Sequence, residues 1–259
     1  MRWRGLPAVV LGALFTAGMF PGYPKVAAGA TTGTVVPSSP SADLAQAMPQ
    51  GLGLVALLTD YGESDFYVGA LKGAILKLCP QARLVDISHD VPPYDVELAA
   101  WTLFDSAREY PAGTVVVAIV DPGVGTGRRP ILLQTGSGHW FVGPDNGLFT
   151  VVERELGSGT YREITNLLWM RRGAISASFH GRDIFGPSAG MLACGQDGQE
   201  AGPAIADPVR LNLRFAQVRR VAGRAPLIEG AVLFADHYGN LQTNISAALV
   251  DSLGATIGD

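Results

Sequence analysis

Five short polar clusters gather the carboxylates, imidazoles and guanidinium groups that could move protons or hold a polar ligand. They are Thr59-Asp60-Tyr-Gly-Glu-Ser-Asp65, Ser88-His-Asp90, Asp121-Pro-Gly-Val-Gly-Thr-Gly-Arg128, Gly143-Pro-Asp-Asn-Gly147 and Phe179-His-Gly-Arg-Asp183. Taken singly, each of the first four is the kind of Gly/Pro/Asp/Asn segment that turns require. Together they carry more, because each follows an apolar run that reads as a strand, and loops at strand ends form the ligand crevice of an open α/β sheet. The fifth sets an imidazole, a guanidinium and a carboxylate within four positions, immediately before an apolar helix. Charged groups so close to apolar sequence need partners.

Several chemistries are open to such clusters. Asp60, Asp65, His89, Asp90, Asp121 and His180 offer oxygen and nitrogen ligands for a metal. Their spacing matches no His-Glu-x-x-His helix, Cys pair or twelve-residue calcium loop, so no metal is expected. A nucleophilic serine is not expected either, and Gly125-Thr-Gly127 lacks the Gly-Lys-Ser/Thr ending of a phosphate loop.

The elements that must position these clusters follow from hydrophobic patterning. Apolar runs at residues 54–58, 83–87 and 114–120 alternate with amphipathic stretches at 67–78 and 96–109. This β-then-α alternation predicts a layered α/β domain with a mostly parallel central sheet. Thr114-Val-Val-Val-Ala-Ile-Val120 is apolar on both faces, as an interior strand covered by helices must be. Runs at 131–133 and 140–142 flank Thr135-Gly-Ser-Gly138 and predict a hairpin. Helices are expected at 148–156 and 184–194. A Gly/Asp/Pro-rich stretch then suggests a boundary near residue 205, giving an α/β domain over 51–204 and a short β domain over 205–259, with a strand at 230–235.

Composition narrows the function classes. The 259 residues are 47% hydrophobic and 16% charged, which is globular, and 19 basic against 23 acidic residues give a net charge of −4. With no cationic run longer than two, a phosphate-tracking nucleic-acid surface is excluded. Cys79 and Cys194 are too few for a disulfide framework or a Cys-based zinc site and read as two buried free thiols. Met1-Arg-Trp-Arg-Gly5 followed by an uncharged apolar stretch to about Phe20 and by Ala28-Gly-Ala30 reads as a signal peptide over residues 1–30. Export to the periplasm or medium is therefore expected, with an uncleaved membrane anchor as the alternative. Residues 31–50, rich in Ser, Thr, Pro and Ala, read as a flexible linker.

Read in order, the clusters resemble the S-adenosylmethionine (SAM) hydroxide adenosyltransferase family, relatives of the SAM-dependent fluorinating and chlorinating enzymes. The matching strings are Leu58-Thr-Asp-Tyr-Gly62 with Asp65 and Tyr67-Val-Gly69, Asp86-Ile-Ser-His89, Pro93-Tyr-Asp-Val96, Val120-Asp-Pro-Gly-Val-Gly-Thr126 with Arg128, Gly143-Pro-Asp-Asn-Gly-Leu148, Phe179-His-Gly-Arg-Asp-Ile-Phe185 and Asp236-His-Tyr-Gly-Asn240 with Thr243-Asn-Ile245. The resemblance implies hydrolysis of SAM, as substrate and with no cofactor, to adenosine and methionine. It implies a water-activating triad of Asp121, Arg128 and His180. It assigns substrate contacts to Asp60, Tyr94, Asn146, Gly181, Arg182, Asp236, Tyr238 and Asn240. It also implies homotrimers with the site at subunit interfaces. The family's second domain continues past the Thr-Asn-Ile string, so the stop at Asp259 leads to the expectation of an incomplete β domain. A halogenase of the same superfamily, an exported nucleoside-binding protein without turnover and a metal-dependent phosphohydrolase are the competing readings.

Overall fold

A computed structural model describes residues 53–220 and 226–254. The expected signal peptide (1–30) and linker (31–50) lie outside the described residues. The chain divides into two compact units, one ending at Arg214 and one over Phe215–Asp259. The first runs past the composition-based boundary near residue 205.

The first unit begins β1 (Leu54–Thr59), α1 (Tyr67–Leu78), β2 (Arg83–Ser88), α2 (Val96–Ala107) and β3 (Val115–Ile119). It continues β4 (Pro130–Gln134), β5 (Trp140–Pro144), α3 (Thr150–Glu155), β6 (Thr160–Glu163), α4 (Gly186–Ala193) and β7 (Ala204–Ile205). One seven-stranded sheet has the order β2-β1-β3-β5-β4-β6-β7. The first four of these strands pair in parallel, while β4, β6 and β7 join antiparallel. The chain leaves β1 for β2 on one side and returns to β3 on the other, so right-handed crossovers put α1 and α2 on opposite faces. The gap between the ends of β1 and β3 is therefore the switch point where α/β sheets bind ligands.

Every residue of β3 is buried, and its Val115 and Val117 join Val55 and Leu57 of β1, Leu71 and Ile75 of α1 and Ala189 and Leu192 of α4 in one core cluster. Burial of each such Val or Leu contributes about 1.5–3 kcal/mol. α2 starts where Asp95 accepts from the Leu98 N–H, a side-chain N-cap. The hairpin of β4 and β5 forms as the Gly-rich turn predicts. The expected helix at 148–156 is shorter, and that at 184–194 is α4 preceded by a π-helical turn over Gly181–Phe185.

The free-thiol expectation is corrected. Cys79, just past α1, and Cys194, just past α4, form a disulfide with Cα atoms 5.5 Å apart. They meet because the two helices pack at very short range around Gly190, where a Cβ would stand only 2.8 Å from the Ile75 carbonyl oxygen. Sequence spacing could not register that approach across 115 positions.

The second unit contains β8 (Gln217–Arg219) paired antiparallel with β9 (Leu227–Glu229), β10 (Val232–Ala235) paired antiparallel with β11 (Leu241–Thr243), and α5 (Ala247–Asp251). Among the described residues no helix is long and apolar enough to cross a membrane.

Candidate active site

A cavity of about 370 Å³ opens at the switch point. The end of β1 contributes Asp60 and Tyr61, the end of β3 contributes Ile119, Asp121 and Val124, and the turn before α2 contributes Pro93 and Tyr94. Tyr67 of α1 and the segment from Ser178 to Gly181 complete the wall.

Arg128 organises the polar end. Its Nε donates to Asp121 Oδ1 at 3.1 Å, a terminal nitrogen donates to Asp121 Oδ2, and that same nitrogen lies 3.0 Å from His180 Nδ1. The Arg128 and Asp121 side chains are each only 6% exposed, and the guanidinium carbon stands 5.2 Å from the centre of the Phe185 ring. Its other terminal nitrogen, Nη1, is buried with no hydrogen-bond acceptor among the described residues. A guanidinium only donates, so His180 Nδ1 accepts and a neutral ring carries its proton on Nε2. Burial and then the Arg128 charge push the His180 pKa below its ordinary value, which favours that neutral form.

Asp60 is held differently. Its Oδ2 accepts from the Tyr94 backbone N–H at 3.0 Å. Burial raises its pKa, and that hydrogen bond counters part of the rise. Tyr94 has φ +66°, costly for an aromatic residue, and is 69% exposed at the cavity mouth. Burial, reinforced by the charges of Asp60 and Asp121, drives the Tyr61 pKa far up, so its phenol stays neutral. Tyr61, Tyr67 and Phe179 form a contiguous aromatic wall, with the Tyr67 and Phe179 rings edge to face at 5.1 Å. A Cβ on Gly181 would lie 2.4 Å from the Tyr61 hydroxyl, so any side chain there would have to displace the Tyr61 ring from the cavity wall.

Of the residues singled out in the sequence, Asp60, Tyr94, Asp121, His180 and Gly181 line the cavity, and Arg128 joins two of them. Arg182 instead forms a two-pronged ion pair with the buried Asp183, its guanidinium 5.0 Å from the Phe179 ring centre. Burial alone would raise Asp183, but Arg182, the Ser176 N–H and Arg171 outweigh it and bring the pKa down to about 2. Asn146 uses its amide on Val120 O and Leu148 N. Asp236 and Asn240 lie in the second unit, where the Asp236 carboxylate accepts from the Tyr238 and Asn240 N–H groups and from Asn240 Nδ2. Tyr238 in the same turn is 87% exposed. Tyr61, Tyr67 and Phe179 stand in the strings that carry the family resemblance but were not named there as site residues.

One string of Gly-x-Ser-x-Gly form does occur, Gly186-Pro-Ser188-Ala-Gly190. It lies within α4 rather than on a strand-to-helix elbow, and the fully buried Ser188 donates to Trp169 O at 3.0 Å, so it offers no nucleophile. Among the described residues no three His, Cys, Asp or Glu side chains gather as a metal site.

The sheet order, the crevice and the buried Asp–Arg–His arrangement define an α/β domain built to hold a small ligand against a polar trio. The profile of the SAM hydroxide adenosyltransferase N-terminal domain matches residues 55–202, and the chain belongs to that family. It is 42% identical over 204 residues to the (R)-S-adenosyl-L-methionine hydrolase of Salinispora arenicola, covering 77% of this chain and 74% of that protein. The protein of the same name from Thermus thermophilus is 36% identical, with 76% of each chain covered. A fluorinase from Actinoplanes is more distant, at 29% identity over 78% of this chain and 74% of that one. The crystal structure of an uncharacterized conserved protein from Thermotoga maritima has a TM-score of 0.73 at 36% identity, covering 78% of this chain and 75% of that one.

Proposed function

We propose that this protein hydrolyses SAM to adenosine and L-methionine. Water attacks the ribose 5′ carbon, the C–S bond breaks, and the sulfonium leaves as a neutral thioether. No general acid is needed for such a leaving group, so the chemical task is to orient water and accept its proton. The observation that carries this reading is Arg128, which ties together Asp121 and His180, both of them in the cavity wall. In this reading the water oxygen receives N–H donation from His180 Nε2, and the Arg128 charge behind Asp121 and His180 stabilises hydroxide-like charge as it develops. The proton passes to the Asp121 carboxylate and from there to solvent. Asp60 keeps Oδ1 for the ribose hydroxyls while Oδ2 holds Tyr94.

Export belongs to the same reading. It is supported by the Arg-flanked apolar leader and by the Cys79–Cys194 disulfide, since such bonds persist in oxidising compartments. N-terminal sequencing of secreted protein should start near residues 27–31. A homotrimer is the assembly the family resemblance implies, and sedimentation checks it; the adjacent Leu167 and Leu168, each about three-quarters exposed, are apolar surface a subunit contact would cover.

The test is turnover of SAM in ¹⁸O-labelled water, with chelator present and absent. Adenosine labelled at the 5′ oxygen, together with methionine, is expected in both arms. Product without label, or activity lost to chelator and restored by a divalent ion, refutes the reading. Asp121→Asn and His180→Ala should each lower kcat by about 10²-fold or more with little change in substrate affinity.

A further inference from the structure

His89 is a buried titratable side chain for which the proposed reaction has no use. It is only 3% exposed and directly follows the last residue of β2. Its Nδ1 lies 2.8 Å from Thr59 Oγ1, and Thr59 is fully buried. Its Nε2 lies 3.1 Å from Asp86 Oδ1, near but off the line of a hydrogen bond, and Asp86 Oδ2 accepts from Lys72 Nζ at 2.6 Å. The carboxylate favours the proton on Nε2, leaving Nδ1 to accept from the Thr59 hydroxyl. Thr59 Oγ1 then accepts from the Tyr61 backbone N–H at 3.3 Å, and the Gly62 N–H donates to the His89 carbonyl at 2.8 Å. Local backbone geometry fits this arrangement. The β1–β2 register slips between Leu57 and Leu58, pairing Leu57 with Asp86 but Leu58 with Ser88, just where the chain turns toward His89. Such irregularities re-aim strand ends beside functional sites.

We infer that His89 is a positioning residue, holding through Thr59 and its own carbonyl the turn from Asp60 to Gly62 that sets the ribose-facing carboxylate and the Tyr61 wall. The chain of contacts runs from the surface at Lys72 through Asp86 and His89 to Thr59, and it touches no reacting atom. Its substrate consequence rests on the SAM reading, whereas its structural consequence does not. Loss of His89 should therefore loosen nucleoside binding while leaving the water-activating trio intact.

The experiment compares His89→Leu, His89→Asn, Thr59→Val and the double variant His89→Leu/Thr59→Val with His139→Leu in the full chain. His139 is an equally buried imidazole that braces the β4–β5 turn through Ser137 Oγ and Tyr110 O. Three quantities are read: amide exchange at Tyr61 and Gly62, the adenosine Kd by calorimetry, and kcat against KM for SAM. His89→Leu and Thr59→Val should each speed exchange at the two amides, weaken adenosine about tenfold and raise KM in proportion with kcat little changed, the scale of one lost hydrogen bond. The double variant should be no worse than the poorer single one, His89→Asn should restore most of the affinity, and His139→Leu should lower Tm alone. Unchanged exchange at Tyr61 and Gly62 in His89→Leu, or additive effects in the double variant, overturns the inference. If the wild-type protein yields no methionine, the SAM reading fails, and the exchange comparison still decides the role of His89.

Discussion

Breaking the Cys79–Cys194 bond by reduction, with no residue substituted, is the cleanest perturbation this fold offers. The bridge closes a loop of 115 positions, and the chain-entropy model assigns a cross-link of that span about 4.8 kcal/mol at 25 °C. Residual structure in the reduced unfolded chain lowers the return to about 2–4 kcal/mol. For a domain of about 150–250 residues, each kcal/mol moves Tm by roughly 2–4 °C, so reduction should lower Tm by about 5–15 °C. The bridge also joins the ends of two helices with a stake in the cavity, since α1 begins at Tyr67 and α4 follows the turn that carries His180 and Gly181. The assay is a thermal melt of the purified, oxidised protein with and without reductant, each sample alkylated and weighed to count its thiols. Two free thiols in the non-reduced protein, or a Tm unmoved in protein shown to be fully reduced, would refute the reasoning. Reduction is preferred to Cys79→Ser because Cys79 is completely buried, and a serine hydroxyl there adds its own desolvation cost.

Gly181→Ala should abolish most turnover while the sheet stays folded, because its Cβ would strike the Tyr61 hydroxyl at 2.4 Å; near-normal kcat/KM would contradict that contact. The acid limb of kcat/KM should fall below pH 6.5, since burial and Arg128 depress the His180 pKa and protonating Nδ1 would set two donors face to face; a limb above pH 7 would rule that out. Asp183 has a folded pKa of about 2, beneath its ordinary 3.8, so its stabilisation is complete above pH 3.8 and drains away as pH falls toward 2. Urea midpoints measured from pH 5 to 2 should show this loss, and Asp183→Asn should be less stable at pH 5 with a flatter acid profile.

Much of the architecture was legible because it is local and periodic. The two-faced apolar run of β3, the amphipathic stretches of α1 and α2 and the Gly-rich turn between β4 and β5 each state their structure within a few residues. The polar clusters at strand ends announced the crevice for the same reason, since a parallel sheet brings its strand ends to one edge whatever the loops contain. Other features depend on which distant segments touch. Arg182 pairs with Asp183, and Asn146 bonds Val120 O across the fold, partnerships that no local pattern announces. The link from Arg128 to His180 spans 52 positions and forms only once α4 has docked on α1 and β3. The disulfide is the plainest case: spacing and composition left two isolated cysteines, and only the close approach of two helices across Gly190, a packing event with no sequence period, made them partners.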